Sequence, residues 1–566
     1  MNESIVQIED LINHGRYLEA RAKADDALLG TESLRLRQLF ALSLSKSGAP
    51  EAARDYLEPY YKANTEDPET AGILGSIYKE LFKKNQQTSL ALQSRDTYLK
   101  NFEATGNYYT GINAAAMSAM VMQASKSREI AKRVIQSIQP DTIDFWELAT
   151  LGEACLLTKE KVRSTEFYIK AKKAAGTDWG KITSVYHQLW LLNHVLPVSS
   201  EVLKIFNPPA VAAFVGHMID HPDRKSPRFP PDIESKVKEG ISNSIRTLNA
   251  KIGYCSLACG GDMLFAEALS EQGGEVNIFI PFAIPDFINM SIRFAGEQWL
   301  NRFNALIEKF PVTLITSDRY YGFDDLFSFQ CKLIFGSSIL RSASNYAQPT
   351  LITVLSEVDL RRSEGGTRDT LRLWPFPQRH TNINPDTYFA SERQANLGST
   401  SNKPAIKEID RPVLYLVFAD LSSLNSIDKE RLQKAIFEKI KEEVTPHVVH
   451  EMTDESIMIG FEFETGAIDM AELMLEAVKK ANGKSDLKIA MHAGPVYKKG
   501  TTIEGDNVTL LKKINEFSPR ATINASGEMA AVLALDPEKF AIEYGGIIYS
   551  DESKSNHTVY KIVEKG

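Results

Sequence analysis

Two carboxylates stand out by where the sequence places them. Pro412-Val413-Leu414-Tyr415-Leu416-Val417-Phe418-Ala419-Asp420-Leu421 reads as an apolar strand that ends on a carboxylate. Asp454 stands 34 positions later, at the start of a second apolar strand, Thr453-Asp454-Glu455-Ser456-Ile457-Met458-Ile459-Gly460-Phe461. Two carboxylates delivered by neighbouring strands suit Mg²⁺ or Mn²⁺ held against a nucleoside triphosphate. Mg²⁺ takes one or two protein carboxylates and leaves its other positions to water and phosphate. A cation also removes the repulsion between two nearby carboxylates.

Three further stretches follow in order: Ile489-Ala490-Met491-His492-Ala493-Gly494-Pro495-Val496-Tyr497, Gly505-Asp506-Asn507-Val508-Thr509-Leu510-Leu511-Lys512-Lys513 and Ala521-Thr522-Ile523-Asn524-Ala525-Ser526. With the strand pair they resemble class III nucleotidyl cyclases over the last quarter of the chain. The resemblance implies metal ligands at Asp420 and Asp454 and a site shared between two copies. It also implies an Asn and an Arg, four apart on one helix, that meet the ribose and the transferring phosphate. Here those positions hold Thr509 and Lys513. Lysine keeps a positive charge but lacks the planar fork of arginine, and threonine has no amide. The base-reading positions fall on His450 and Thr502, which match neither the adenine-type nor the guanine-type choice.

Those elements sit in a chain of 566 residues with net charge −8, 43% apolar and 24% charged residues, long enough for several domains. The acidic balance favours neither nucleic acid nor an anionic membrane surface. No apolar run reaches the roughly 18–20 residues of a membrane helix. Met1-Asn2-Glu3-Ser4 opens into an amphipathic pattern and not a signal peptide, so the expected location is cytoplasmic. Cys155, Cys255, Cys259 and Cys331 read as reduced thiols, since no second Cys or His pair completes a zinc set around Cys255 and Cys259.

Residues 1–200 read as helix after helix. Gly15-Arg16-Tyr17-Leu18-Glu19-Ala20 and Gly48-Ala49-Pro50-Glu51-Ala52-Ala53 are 33 positions apart; Ile112-Asn113-Ala114-Ala115-Ala116 and Leu148-Ala149-Thr150-Leu151-Gly152 are 36 apart. A period near 34 predicts a tetratricopeptide-like array, which offers a concave face to a protein partner. Tyr108-Tyr109-Thr110-Gly111-Ile112-Asn113-Ala114-Ala115 resembles the helical regulatory segment of apoptosis-signal-regulating kinases and bacterial relatives, without a kinase motif set.

Residues 205–383 alternate strands with helices: Val211–His217, a helix from Asp232 to Asn249, Lys251–Ala258, Val276–Pro281, a helix from Leu326 to Asn345 and Thr350–Leu355. The alternation predicts an α/β, Rossmann-like parallel sheet covered on both faces. Ala258-Cys259-Gly260-Gly261-Asp262 and Gly365-Gly366-Thr367 stand before helices, where backbone N–H groups meet anions, and Asp262 is placed to cap. Gly216-His217-Met218-Ile219-Asp220, Arg228-Phe229-Pro230, the run from Ala258 to Glu267, Ile280-Pro281-Phe282 and the second glycine turn resemble the SLOG superfamily. That resemblance implies a nucleotide-type ligand at Gly216, His217, Gly260, Gly261, Asp262, Gly365, Gly366 and Thr367. Glu267 is a candidate hydrolytic carboxylate by analogy with lysine-decarboxylase-like phosphoribohydrolases, although their PGGxGTxxE signature is not present. Arg224, Lys225 and Arg228 form a basic loop. Residues 380–410, rich in Asn, Ser, Thr, Pro and Gln, have linker composition, with 384–409 as the linker proper. Residues 410–566 then form an α+β, ferredoxin-like cyclase domain.

Three readings follow. The first is a nucleotide-signalling protein with a partner-binding array, a nucleotide-sensing middle domain and a degenerate cyclase domain that binds metal-nucleotide and pairs with its own copy. The second is an active nucleotidyl cyclase regulated by the other two domains. The third is a scaffold without enzymatic activity.

Overall fold

The structure, a computed structural model, describes residues 2–13, 17–31, 33–63, 67–176, 179–345, 347–357, 371–389, 412–442, 449–482, 486–496, 498–499, 502–550 and 555–565. The chain forms two compact units. One comprises residues 1–208 with 544–549, the other 209–543 with 550–566.

The first unit is helical: α1 (Asn2–Asn13), α2 (Tyr17–Gly30), α3 (Leu34–Lys46), α4 (Pro50–Ala63), α5 (Pro68–Asn85), α6 (Thr88–Thr105), α7 (Tyr108–Met120), α8 (Ala124–Ser137), α9 (Phe145–Leu157), α10 (Lys161–Ala175), α11 (Trp179–Leu192) and α12 (Ser200–Ile205). Short polar residues begin several of these helices by taking the first backbone N–H groups. Asp67 accepts from Thr70 N at 2.8 Å with Pro68 as the first helical residue, and Asp144 accepts from Trp146 N and Glu147 N. A repeated device then pairs consecutive helices. The Gly75 carbonyl on α5 accepts from Ser94 Oγ on α6 at 2.8 Å, and the Gly152 carbonyl on α9 accepts from Ser164 Oγ on α10 at 2.7 Å. Four residues beyond each serine, buried Tyr98 and Tyr168 lie on the same glycines. A Cβ at Gly152 would come within 2.8 Å of the Tyr168 ring, so only glycine allows this approach.

The second unit holds two sheets. The first is all parallel, in the order β4-β3-β2-β1-β5-β6, from β1 (Ala210–Gly216), β2 (Ala250–Cys255), β3 (Glu275–Ile280), β4 (Val312–Leu314), β5 (Pro349–Val354) and β6 (His380–Ile383). Its helices are α13 (Glu234–Thr247), α14 (Gly261–Glu271), α15 (Ile284–Ser291), α16 (Glu297–Lys309) and α17 (Asp325–Ser344). Strand alternation divides the faces. Ala212, Phe214, Ile278, Ile280, Ile352 and Val354 pack with α13, α14 and α16, whereas Ala213, Phe279 and Leu351 pack with α17. Two expectations change here. His380–Ile383, read as linker, is the parallel edge strand beside β5; its polar His-Thr-Asn suits an edge with one covered neighbour. Strand β2 stops at Cys255, so Ser256 to Ala258 belong to the turn.

The second sheet is mixed, in the order β14-β15-β13-β10-β7-β9-β8. Its strands are β7 (Val413–Asp420), β8 (Val449–Met452), β9 (Ser456–Phe461), β10 (Lys488–Val496), β13 (Thr522–Ser526), β14 (Phe540–Ser550) and β15 (Ser555–Glu564); β11 (Lys498–Lys499) and β12 (Thr502–Ile503) form a separate ribbon. Helices α18 (Ser426–Glu442), α19 (Glu464–Asn482) and α21 (Gly527–Leu533) share a core with Tyr415, Val417, Ala419, Ile457, Ile459, Ile489 and Met491. On the other face lies α20 (Asp506–Phe517), whose Asn515 amide donates to the Phe418 and Lys488 carbonyls.

Helix α17 belongs to both sheets. Phe329, Leu333, Ile334 and Phe335 join the core beneath β1, β3 and β5 to that of β7, β9 and β10. Lys332 Nζ reaches both Glu464 oxygens, at 2.8 and 2.9 Å, and the Tyr415 hydroxyl at 3.3 Å. Burial alone would raise the Glu464 carboxyl, but Lys332 holds it below its ordinary range. At Gly336 an added Cβ would stand 1.8 Å from the Ala531 carbonyl oxygen of α21. Gly336→Ala therefore has to separate two backbones. It is expected to cost about 2–3 kcal/mol or more in denaturant titration, while Gly527→Ala, whose methyl meets nothing nearer than 3.5 Å, leaves the midpoint nearly unchanged.

Candidate functional site

The two carboxylates of the C-terminal sheet lie at the same end of β7 and β9. Asp420 is the last residue of β7 and pairs in register with Ser456, and Asp454 lies two residues before Ser456 in the β8–β9 turn. Asp420 Oδ1 accepts from Ser422 N at 2.8 Å, which turns the carboxylate along the chain exit toward α18. The turn is braced by Thr453 N to the Ser456 carbonyl and by Lys429 Nζ on the Asp454 carbonyl at 2.7 Å. Asp420 is half-buried and Asp454 exposed. Among the described residues no side chain neutralises either carboxylate. The opening of α18 is fixed by Asn425, which accepts from Asp428 N at 2.9 Å and donates to its carboxylate.

Oxygen donors alone, with neither carboxylate spent on a base, fit a hard divalent cation. No cluster of three or more His, Cys, Asp or Glu occurs among the described residues, so a cation here would keep most of its sites for water and phosphate. Thr509 is exposed on α20 and its hydroxyl turns back toward the Gly505 carbonyl at 3.4 Å; Lys513 is half-buried one turn later. His450 lies on β8 opposite Ile459, and Thr502 on β12 beside Ile503, whose N–H donates to Glu451 of β8 at 2.8 Å. His450 and Thr502 thus stand on elements in contact.

The carboxyl edge of the parallel sheet is arranged differently from the expectation. Gly260, not Asp262, is the N-cap of α14, at φ 116°. Its missing side chain is explained by packing, because a Cβ would lie 2.5 Å from Ile219 N and 2.7 Å from the His217 carbonyl. Gly261 N–H donates to that same carbonyl at 2.9 Å, and Ile219 N–H to the Cys259 carbonyl at 2.9 Å. The chain leaving β1 at Gly216 therefore occupies the glycine turn. His217 is buried and accepts from Ser356 N at 3.2 Å through Nε2, a bond that ties β1 to the end of β5. Glu267 is held by Arg302 through two bonds of 2.7 and 2.8 Å, with Lys238 at 3.4 Å, and Arg302 also binds Glu234. A carboxylate in a bidentate arginine pair is not poised as a hydrolytic base. In the basic loop, Arg224 pairs with Asp220 at 3.3 Å, and Asp220 takes the N–H groups of Arg228 and Phe229. Gly365, Gly366 and Thr367 lie outside the described residues.

Asp262 is the unusual group at this edge. It is buried, and burial pushes its carboxyl up to about 7 despite hydrogen bonds from the Ala258 and Gly216 backbone and from Ser256. Ser256 in turn accepts from Gln330 of α17 at 2.9 Å, so this carboxyl is linked to the helix between the sheets.

One cluster escaped the reading of the sequence. In the helical unit Lys79, Asn113, Glu153 and Gln188 form a connected network. Its signal is the spacing: Lys79 and Asn113 are 34 apart, Glu153 and Gln188 35 apart, so each falls at a repeat interval.

With the paired helices and the two sheets described, comparison with known proteins adds the following. Residues 16–118 match the family described as Tetratricopeptide Repeats-Sensor, TPR-S. No curated protein matches the chain. Among solved structures, the catalytic core of a rhodopsin-guanylyl cyclase in complex with ATPalphaS is 16% identical, covering 27% of this chain and 98% of its own, with TM-score 0.23. An adenylate/guanylate cyclase/hydrolase from Silicibacter pomeroyi is 14% identical over 28% of this chain and 99% of its own, with TM-score 0.24. A thermophilic TPR protein of Thermus thermophilus is 15% identical over 33% and 98%, with TM-score 0.29. Likenesses of this size carry neither activity nor ligand to this chain.

The Asp262 carboxyl yields a test of its burial. A carboxyl raised above its unfolded range is neutral in both states at low pH and charged only at a cost in the folded one. Its contribution is thus fully present below about pH 4 and lost as pH rises through 7, about 4 kcal/mol at most. Urea titration is expected to show that Asp262→Asn reduces this loss between pH 5 and 8, compared with the unsubstituted protein.

Proposed function

We propose that the chain is a nucleotide-signalling protein whose C-terminal sheet holds a metal-bound nucleoside triphosphate at Asp420 and Asp454, in a site completed by a second copy and with little turnover. The observation that supports it is the placement of these two carboxylates, neither neutralised by a side chain among the described residues, at the same end of β7 and β9. A divalent cation there would supply charge to bind and orient the triphosphate. The chain's own part is positional: Ser422 orients Asp420, and Lys429 and Thr453 fix the turn that carries Asp454.

Little turnover follows from α20. Charge that develops on a transferring phosphate has to be met by donors already in place, and removing one such donor typically costs about 10²–10³ in rate. Thr509 offers a short hydroxyl directed at its own helix, and Lys513 offers a point charge in place of a fork. In this reading the helical array binds a protein partner, and the parallel-sheet half responds to a nucleotide-type ligand at its carboxyl edge, around Asp262. The array's partner role rests on its repeat architecture.

Calorimetry on the full chain with ATP or GTP is expected to show binding that requires Mg²⁺ or Mn²⁺ and disappears in Asp420→Ala and in Asp454→Ala. Binding that persists in both variants places the nucleotide elsewhere. Mass spectrometry is expected to find little cyclic product from the unsubstituted protein and about 10²-fold more from Thr509→Asn with Lys513→Arg. Rapid cyclisation by the unsubstituted chain overturns the low-turnover reading in favour of an active cyclase. Sedimentation at tens of micromolar tests the second copy, since a strict monomer removes the composite site.

A further inference from the structure

Lys429 holds a positive charge at the candidate carboxylate site that no acid of the protein answers. Its Nζ donates to the Asp454 carbonyl at 2.7 Å, so the ammonium is anchored on the backbone of the residue whose carboxylate is a candidate metal ligand. That carbonyl is the only hydrogen-bond or ion-pair partner of Lys429 among the described residues. An ammonium has three N–H donors, and one is spent here. The preceding acid, Asp428, is committed elsewhere: it is buried, bonded to the Asn425 amide at 2.8 Å and 3.7 Å from Arg431. Consecutive residues of a helix do not face each other, so Asp428 and Lys429 point apart.

The position of the lysine favours an anion as well. Helix α18 begins at Ser426, which puts Lys429 in its first turn, and residues 421–425 join that turn to Asp420. The first turn is the positive end of the helix dipole. A lysine there is opposed by its own helix, whereas an anion is attracted by the lysine and by the helix end together. Lys429 is also half-buried, so its ammonium is less free to leave than one on an open surface. Two ionised carboxylates cancel one divalent cation, and the charge of a bound triphosphate is then left over for a further cation to meet. Lysine meets phosphate as a compact point charge and needs no fork geometry to do so.

We propose, on the reading that Asp420 and Asp454 hold a metal-bound nucleoside triphosphate, that Lys429 binds its phosphate chain and sets the preference of the site for triphosphates over monophosphates. The lysine keeps the Asp454 carbonyl through one N–H and offers the others to phosphate oxygens. Its charge acts on the phosphates and leaves the hold of the carboxylates on the cation to Asp420 and Asp454 themselves.

The test uses the full chain, with ATP and AMP in the presence of Mn²⁺ as calorimetric probes and Mn²⁺ alone followed by electron paramagnetic resonance. Lys429→Met is expected to weaken ATP about tenfold or more and AMP less than about twofold. It is expected not to weaken Mn²⁺ alone, and Lys429→Arg is expected to keep most of the ATP affinity. The affinity of the unsubstituted chain for ATP is expected to fall more steeply with added KCl than that of Lys429→Met. Equal losses for ATP and AMP, or weaker Mn²⁺ binding in Lys429→Met, overturn the proposal and leave the lysine as a brace of the turn that carries Asp454. Unchanged ATP affinity in Lys429→Met overturns it too. Asp420→Ala, measured alongside, separates the two levels. If it loses ATP while Lys429→Met does not, only the role of the lysine fails; if it keeps ATP, the carboxylate site fails and the lysine with it.

Discussion

The close approach of α17 to α21 constrains the whole second unit. A helix that covers one face of a parallel sheet normally turns its other side to water. Here the other side of α17 is packed against a second sheet, with Gly336 set against the Ala531 carbonyl and Lys332 tied to Glu464 and Tyr415. Backbone contact at this distance requires glycine. The half-buried ion pair adds orientation, and desolvation of its two charges offsets part of their attraction. The two sheets consequently form one body with a shared apolar core, even though sequence composition divides them.

That shared core puts the two candidate sites of this unit on one framework. Gln330 of α17 donates to Ser256, which bonds Asp262, at the carboxyl edge of the parallel sheet. Two residues on, Lys332 holds the start of α19. The carboxyl edge is largely satisfied from within: the turn after β1 fills the glycine pocket, His217 bridges to Ser356, and Glu267 is bound to Arg302. The Asp420–Asp454 pair has the opposite character: Ser422 N orients Asp420, and among the described residues no side chain neutralises either carboxylate. Groups whose valences the protein has already used hold a fold together; groups left accessible and oriented are the ones available to a ligand. By that criterion the C-terminal sheet carries the stronger claim in this unit.

Much of the architecture was legible in the sequence because it rests on local periodicity. The alternation at Val211–Val215 and Tyr415–Ala419 marks strands, the glycine and alanine spacing near 34 marks paired helices, and the position of Asp420 at a strand end follows directly from where the apolar run stops. Asp454, expected at the start of the second strand, lies in the turn two residues before β9 begins at Ser456. Edge strand β6 was not, because His-Thr-Asn-Ile has the polar composition of a loop and becomes a strand only when β5 offers it a partner.

The sequence by itself indicated most of the elements and the candidate residues Asp420, Asp454, Thr509 and Lys513, since these depend on residue type and short spacing. Tertiary structure alone decided how polar groups are spent. Gly260 and Gly261 could equally cradle an anion or admit a crossing backbone, and only the position of His217–Ile219 selects the second. Glu267 became an ion-pair partner because Arg302, 35 positions away, packs beside it. Lys79 met Gln188 across 109 positions because the stacking of helices, and no local pattern, sets that distance. Hydrogen bonds and desolvation act through space, so the chemistry of a buried group follows from what folding brings against it.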